Sequence, residues 1–137
     1  MSTRSLIARQ TDRGFEAVFC HHDGAPRYHG PVLTGHYSTP EAVAALLDLG
    51  DLSVLGPQPG RAHAFATHHE NPDAQDWCLA YGRDRADRNR AERCYACEAE
   101  LLEDADNRWA KYVYLFREGR WFYRSGDDEC WHTLATR

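Results

Sequence analysis

No run of apolar residues in this 137-residue sequence reaches the roughly 18 that a membrane-spanning helix needs. The opening residues, Met1-Ser2-Thr3-Arg4-Ser5-Leu6-Ile7, hold no apolar signal core, so the expected setting is the cytoplasm of a host cell. Also missing are a phosphate-cradling Gly loop, a Gly-x-Ser-x-Gly elbow and a dinucleotide fingerprint, which sets aside three common catalytic designs. No internal repeat, low-complexity segment or linker breaks the chain, so residues 1–137 are expected to form one domain. The cysteines number five (Cys20, Cys78, Cys94, Cys97 and Cys130) and cannot all pair within one chain. Reduced thiols are the economical expectation. Strong charge of either sign is lacking as well. A net charge of −5 with neutral histidines disfavours non-specific nucleic-acid binding and is too small to imitate DNA.

What the sequence does have is core-forming material. Four Trp, seven Tyr and five Phe can anchor the interior of a small domain. Residues 4–10 and 15–19 alternate around Thr11-Asp12-Arg13-Gly14 and predict a hairpin. Gly24-Ala25-Pro26 then turns the chain away. Residues 31–37 suggest a short or irregular helix interrupted by glycine. Ser38, with Glu41 three positions on, predicts the cap of a helix over about 39–49. Residues 62–66 suggest a short strand, His68 to Asp73 an exposed loop, and Trp77 to Tyr81 a buried strand. Residues 84–105 carry Ala91, Cys94, Tyr95, Leu101, Leu102 and Ala105 on one helical stripe and predict a second long helix. Tyr112 to Phe116 and Trp121 to Tyr123, joined through Glu118-Gly119, predict the strongest hairpin. Trp131 and Leu134 are expected to dock on the body. The expected fold is α+β: an antiparallel sheet built from N- and C-terminal β-hairpins plus a central strand, with two main helices packed on one face.

The densest chemistry is Cys20-His21-His22-Asp23. On a strand, His21 and Asp23 share one face, and a carboxylate beside an imidazole suits acid–base work or metal ligation. They are the candidate catalytic pair. Against this stands turn chemistry, because Asp23-Gly24 makes its own backbone hydrogen bonds. His68, His69 and Glu70 are acceptable ligands for zinc or another divalent metal, alone or with His21 and Asp23. No cofactor is expected under the leading reading. Cys94-x-x-Cys97 has metal or redox spacing, yet it lacks a second pair and falls mid-helix in the expected fold, which makes these structural cysteines. Arg83, Arg85, Arg88, Arg90 and Arg93 form a basic cluster with phosphate-binding geometry, interleaved with Asp84, Asp87 and Glu92. His22, Arg83, Arg85 and Arg88 are the candidate binding residues. Nucleic acid is a less favoured partner than protein.

Five blocks carry a resemblance. They are Met1-Ser2-Thr3-Arg4-Ser5, Cys20-His21-His22-Asp23-Gly24-Ala25-Pro26, Leu49-Gly50-Asp51-Leu52-Ser53, Ala80-Tyr81-Gly82-Arg83-Asp84-Arg85, and the aromatic hairpin from Leu115 to Tyr123. In this order they resemble a family of small uncharacterised proteins encoded by bacteriophages and prophages. The second block is similar to a family pattern Cys-His-Trp-Asp-Gly-Tyr-Pro; His22 and Ala25 depart from it. The resemblance implies a phage-related origin and no particular activity. With the small size of the chain it leads to an expected accessory role. In that role the protein is expected to bind a host protein, for instance to inhibit a bacterial defence system such as a CRISPR effector. The alternative is a small metal-dependent hydrolase or nuclease built on the His, Asp and Glu residues named above.

Overall fold

In the computed structural model, which describes residues 2–88 and 91–134, the chain begins with the expected hairpin. Strand β1 (Ser5–Thr11) pairs with β2 (Gly14–Cys20) in unbroken antiparallel register from Ser5↔Cys20 to Thr11↔Gly14. The Thr11 hydroxyl accepts from the Arg13 N–H at 3.2 Å and closes the turn. Gly14 has φ +138°, and a Cβ there would lie 2.1 Å from the Tyr95 carbonyl, so the next strand can approach only because a side chain is absent.

Helix α1 (Pro26–His36) follows directly and is longer than the sequence suggests. Pro26 sits in its first turn, where no N–H is needed. Helix α2 (Pro40–Leu47) is capped by Thr39, whose hydroxyl accepts from Ala42 N–H at 3.1 Å; Ser38 is therefore not the cap. Strand β3 (Leu52–Val54) and the two-residue β4 (Leu79–Ala80) enclose a long excursion of turns. No strand forms over residues 62–66, and of the expected Trp77 to Tyr81 strand only Leu79–Ala80 forms one, while Trp77 makes an isolated parallel bridge with Gln58.

The second long helix does not exist as one element. Helix α3 (Tyr81–Arg85) stops where Ala86 turns left-handed at φ 60°. Strand β5 (Arg93–Tyr95) then pairs with β2, and α4 (Glu98–Asn107) begins after Cys97. Residues 89 and 90, including Arg90, lie outside the described residues. Cys94 and Cys97 are exposed, so neither is the core residue expected. The C-terminal hairpin β6 (Tyr112–Arg117) and β7 (Arg120–Ser125) forms as expected, with β8 (His132–Thr133) at its edge.

Among the described residues one sheet results, in the order β4-β3-β2-β1-β6-β7-β8, with β5 also on β2. It is mostly antiparallel; β1 with β6 and β2 with β3 are parallel. The α+β class is as expected, but the helices lie on both faces. Ile7, Val18 and Tyr114 pack with Leu33 of α1 and with Val43, Leu46 and Leu47 of α2. The alternate residues Leu6, Ala8, Phe19 and Leu115 pack with Leu101 and Ala105 of α4. Period-two alternation therefore fills two cores instead of one core and a wet face. Leu134 docks on the first core and Trp131 on the second.

Candidate functional site

The register fixes what gathers at one end of the sheet. Ser5 stands opposite both Cys20 and Tyr112, and Tyr112 opposite Ser125. The residues just outside those four positions therefore share that end. They are Ser2 to Arg4, His21 to Tyr28, Trp109 to Lys111, and Gly126 to Asp128, whose Gly126 N–H donates to the Lys111 carbonyl at 2.9 Å. Lys111 N–H donates to the Arg4 carbonyl at 2.9 Å, and Gly24 N–H to the Thr3 carbonyl at 2.9 Å.

Within the Cys20–Pro26 stretch the structural role dominates. β2 ends at Cys20, so His21 and Asp23 do not share a strand face. The Cys20 thiol is fully buried, and burial pushes its pKa up to about 12, where it is no nucleophile. His21 and His22 donate backbone N–H groups to Leu52 and Ser53 at 3.0 and 3.2 Å, running on beside β3. The two imidazoles meet edge to face at 4.5 Å, and His22 Nδ1 lies 2.7 Å from the Ser2 hydroxyl. Asp23 is exposed and left-handed, with φ 58°. The Gly24 carbonyl accepts from the Tyr114 hydroxyl at 2.5 Å. The turn thus ties together the chain start, β2, β6 and α1.

The surface around this turn carries the most exposed large rings. Trp109 is 77% exposed and Tyr28 48%. Trp109 owes its position to how α4 ends. Its N–H donates to Asp106 O at 3.1 Å and Ala110 N–H to Ala105 O at 2.8 Å, the paired bonds of a Schellman stop. The residue after the cap must be left-handed, normally glycine; here it is Trp109, with φ 59°. The Arg4 guanidinium lies 5.9 Å from its ring centroid, Arg27 4.8 Å from Tyr28, and Lys111 Nζ 5.8 Å from Tyr112. Sequence reasoning missed Trp109. The helix predicted over 84–105 ends before it, and no glycine marks the left-handed position that Trp109 takes.

The other candidates lie elsewhere. His68 is buried at 4% exposure in a short 3-10 turn, not on an exposed loop; His69 and Glu70 are exposed as expected. Its partner is His63, with His63 Nε2 2.8 Å from His68 Nδ1. His63 Nδ1 stands 2.7 Å from the Arg61 carbonyl, which can only accept, so that nitrogen bears a proton. Asp84 lies behind, its Oδ1 3.5 Å from His63 Nδ1. Burial, then His63 and His69, hold the His68 pKa below the usual imidazole range. Burial works against the Asp84 carboxylate, but hydrogen bonds from Arg83, then Ala80 N–H, outweigh it and keep its pKa low. Among the described residues no three His, Cys, Asp or Glu side chains gather as a metal-ligand set, so His21 and Asp23 do not join His68, His69 and Glu70 in one.

The arginines are spread over different tasks. Arg83 donates to Asp84 at 2.8 and 3.0 Å, to Pro59 O at 2.7 Å and to Cys78 O at 2.9 Å, which fastens α3 to the long excursion. Arg85 lies over Phe65 and Tyr81, at 4.7 and 4.8 Å, and pairs with Asp87. Arg88 is exposed. No helix among the described residues is long and apolar enough to cross a membrane. Compared with known proteins, the chain matches no family model, no curated protein and no solved structure.

Proposed function

We propose that this chain is a protein-binding module that works through the sheet end built on Cys20–Pro26, with Trp109 at its centre. The observation behind this reading is the placement of Trp109. A bulky residue in the left-handed region costs about 1 kcal/mol or more relative to glycine. An exposed ring recovers little of that by packing. Strain that the fold does not repay is the mark of a side chain kept for something outside the molecule. Trp, Tyr and Arg are also the residue types that dominate binding hot spots. The setting drawn from the resemblance is an accessory protein encoded by a phage or prophage and directed at a host protein, with a defence effector such as a CRISPR nuclease as the concrete case.

The experiment is Trp109→Gly. Binding and stability are expected to move in opposite directions. The variant should melt at the same temperature or higher, because glycine relieves the left-handed strain. A bacterial host protein retained by the immobilised wild-type chain should be lost. If binding survives Trp109→Gly in a fully folded variant, the reading is wrong.

A further inference from the structure

We infer that the His63–His68 pair is a pH-sensitive latch on the loop over residues 59–70, which opens as pH falls because the closed pair has no place for a second positive charge. This is independent of the binding role proposed above. Residues 59–67 form neither helix nor strand. Side chains tie them to the body. The Pro59 carbonyl accepts from Arg83 at 2.7 Å, the His63 N–H donates to Asp84 at 3.2 Å, and Phe65 stacks on Tyr81 with ring centroids 5.5 Å apart. The contact from His63 Nε2 to His68 Nδ1, at 2.8 Å, closes the loop on itself. It is shielded from water, since the His63 side chain is 5% exposed and His68 4%.

The two rings together have four nitrogens. The 2.8 Å space between the facing pair has room for one proton, and each outer nitrogen can carry one more. The closed pair thus holds at most three protons and a single positive charge. Released into water, the rings hold four protons and two charges below the ordinary imidazole pKa. Even the single charge is poorly served. On the loop side stand His69, its ring 5.2 Å from that of His68, and Arg61, seated over the Trp77 indole that meets His63 edge to face at 5.3 Å. From α3 come Arg83 and Asp84. Asp84 is the carboxylate among them, with Oδ1 3.5 Å from His63 Nδ1. It already accepts from Arg83 at 2.8 and 3.0 Å and from the Ala80 N–H at 2.9 Å, so it is committed before an imidazolium forms. Its pKa is held low, so it stays ionised while histidines titrate. Opening therefore takes up protons. The contribution of the latch is complete above the ordinary imidazole pKa and is lost as pH falls below it.

The test is amide hydrogen exchange on the full chain, corrected for the chemical exchange rate at each pH. If the closed pair refuses one proton that the open pair takes near pH 6.5, the opening constant rises about 15-fold between pH 6.5 and pH 5. The amides of His63, His68 and Glu70 should lose protection by that factor or more. The comparison is His63→Gln/His68→Asn, whose amide side chains keep a hydrogen bond across the pair and do not titrate. In that variant the same amides should change by less than about threefold. Amides of the β1–β2 ladder report global unfolding in both proteins. The inference is overturned if wild-type loop protection changes by less than about threefold, if it falls only in step with the ladder amides, or if the double variant falls as steeply as the wild type. Circular dichroism checks that the variant folds; if it does not, the wild-type profile against its own ladder amides decides alone.

Discussion

His29 offers a test of the core that needs no partner. It lies on α1 at 2% exposure, with its ring 5.3 Å from that of Tyr114. Its Nε2 is buried with no hydrogen-bond partner. Burial disfavours the imidazolium and lowers the pKa from 6.5 to about 4. The sign follows from which state takes the proton first. On unfolding, His29 regains an ordinary pKa, so between the two values the unfolded chain binds a proton that the folded chain refuses. Its stabilising contribution is complete above pH 6.5 and is lost as pH falls towards 4. With these two values the loss is about 2 kcal/mol at pH 5 and about 2.5 kcal/mol at pH 4.5. The perturbation is His29→Phe, which keeps a ring against Tyr114 and cannot titrate. Urea unfolding of both proteins at pH 7.5, 6, 5 and 4.5 cancels the carboxylates they share. At pH 7.5 the variant should equal the wild type or exceed it by about 1 kcal/mol, since an unsatisfied polar atom has gone. By pH 4.5 the gap should widen in its favour by about 2.5 kcal/mol. A gap that stays constant within about 0.5 kcal/mol across the series would refute a neutral, buried His29.

Two more expectations are quick to check. Cys20 and Cys78 are buried and burial raises both thiol pKa values, whereas Cys94, Cys97 and Cys130 are exposed. A thiol reagent should titrate three groups on the folded chain and five in denaturant; five rapid groups on the folded chain would contradict this burial. Asp51 is buried, accepts from Phe19 N–H at 2.9 Å and from Arg108 at 3.1 Å, and so fastens β2 to the end of α4. Asp51→Ala should cost about 3 kcal/mol in urea unfolding; a loss below about 1 kcal/mol would mean that the pair contributes no more than a surface ion pair.

The parts of the fold legible in the sequence are those set by local pattern. Both hairpins alternate cleanly and carry their turn residues between the runs, so β1–β2 and β6–β7 come out within a residue or two. Helix α2 has its Pro and acidic first turn. The failure at residues 84–105 is equally physical. Their apolar spacing fits a helix, but Tyr95 and Cys94 find partners in Phe15 and Glu16, some 80 positions earlier. What admits that pairing is the missing side chain at Gly14, and no local window reports it. The layering was hidden for a related reason. Strand β1 is buried on both faces, which its weak alternation resembles only after α4 is known to cover the second face. Among the site residues, His22 and Arg4 lay in recognisable blocks. Trp109 did not, because the Schellman stop favours glycine and nothing in Asn107-Arg108-Trp109-Ala110 announces one.

The blocks singled out in the sequence, scattered along it, are mostly neighbours in space. Thr3 accepts from Gly24, and Ser2 meets His22. Asp51 accepts from the Phe19 backbone through its side chain and from Tyr81 through its carbonyl. Leu52 and Ser53 accept from His21 and His22. Four blocks therefore form one hydrogen-bonded frame around the end of β2. The fifth block, in the C-terminal hairpin, stands on the far side of β1, where β6 continues the sheet. A frame of that kind explains why His21, Asp23 and Gly24 stand where they do without assigning them chemistry. His22 and Ala25 are half-buried beside that frame. On this chain Trp109 and Tyr28 provide the exposed rings on that same end. The stretch whose residue types most suggest catalysis is, in three dimensions, the frame that ties the chain start, β2, β3 and β6 together at this end of the sheet.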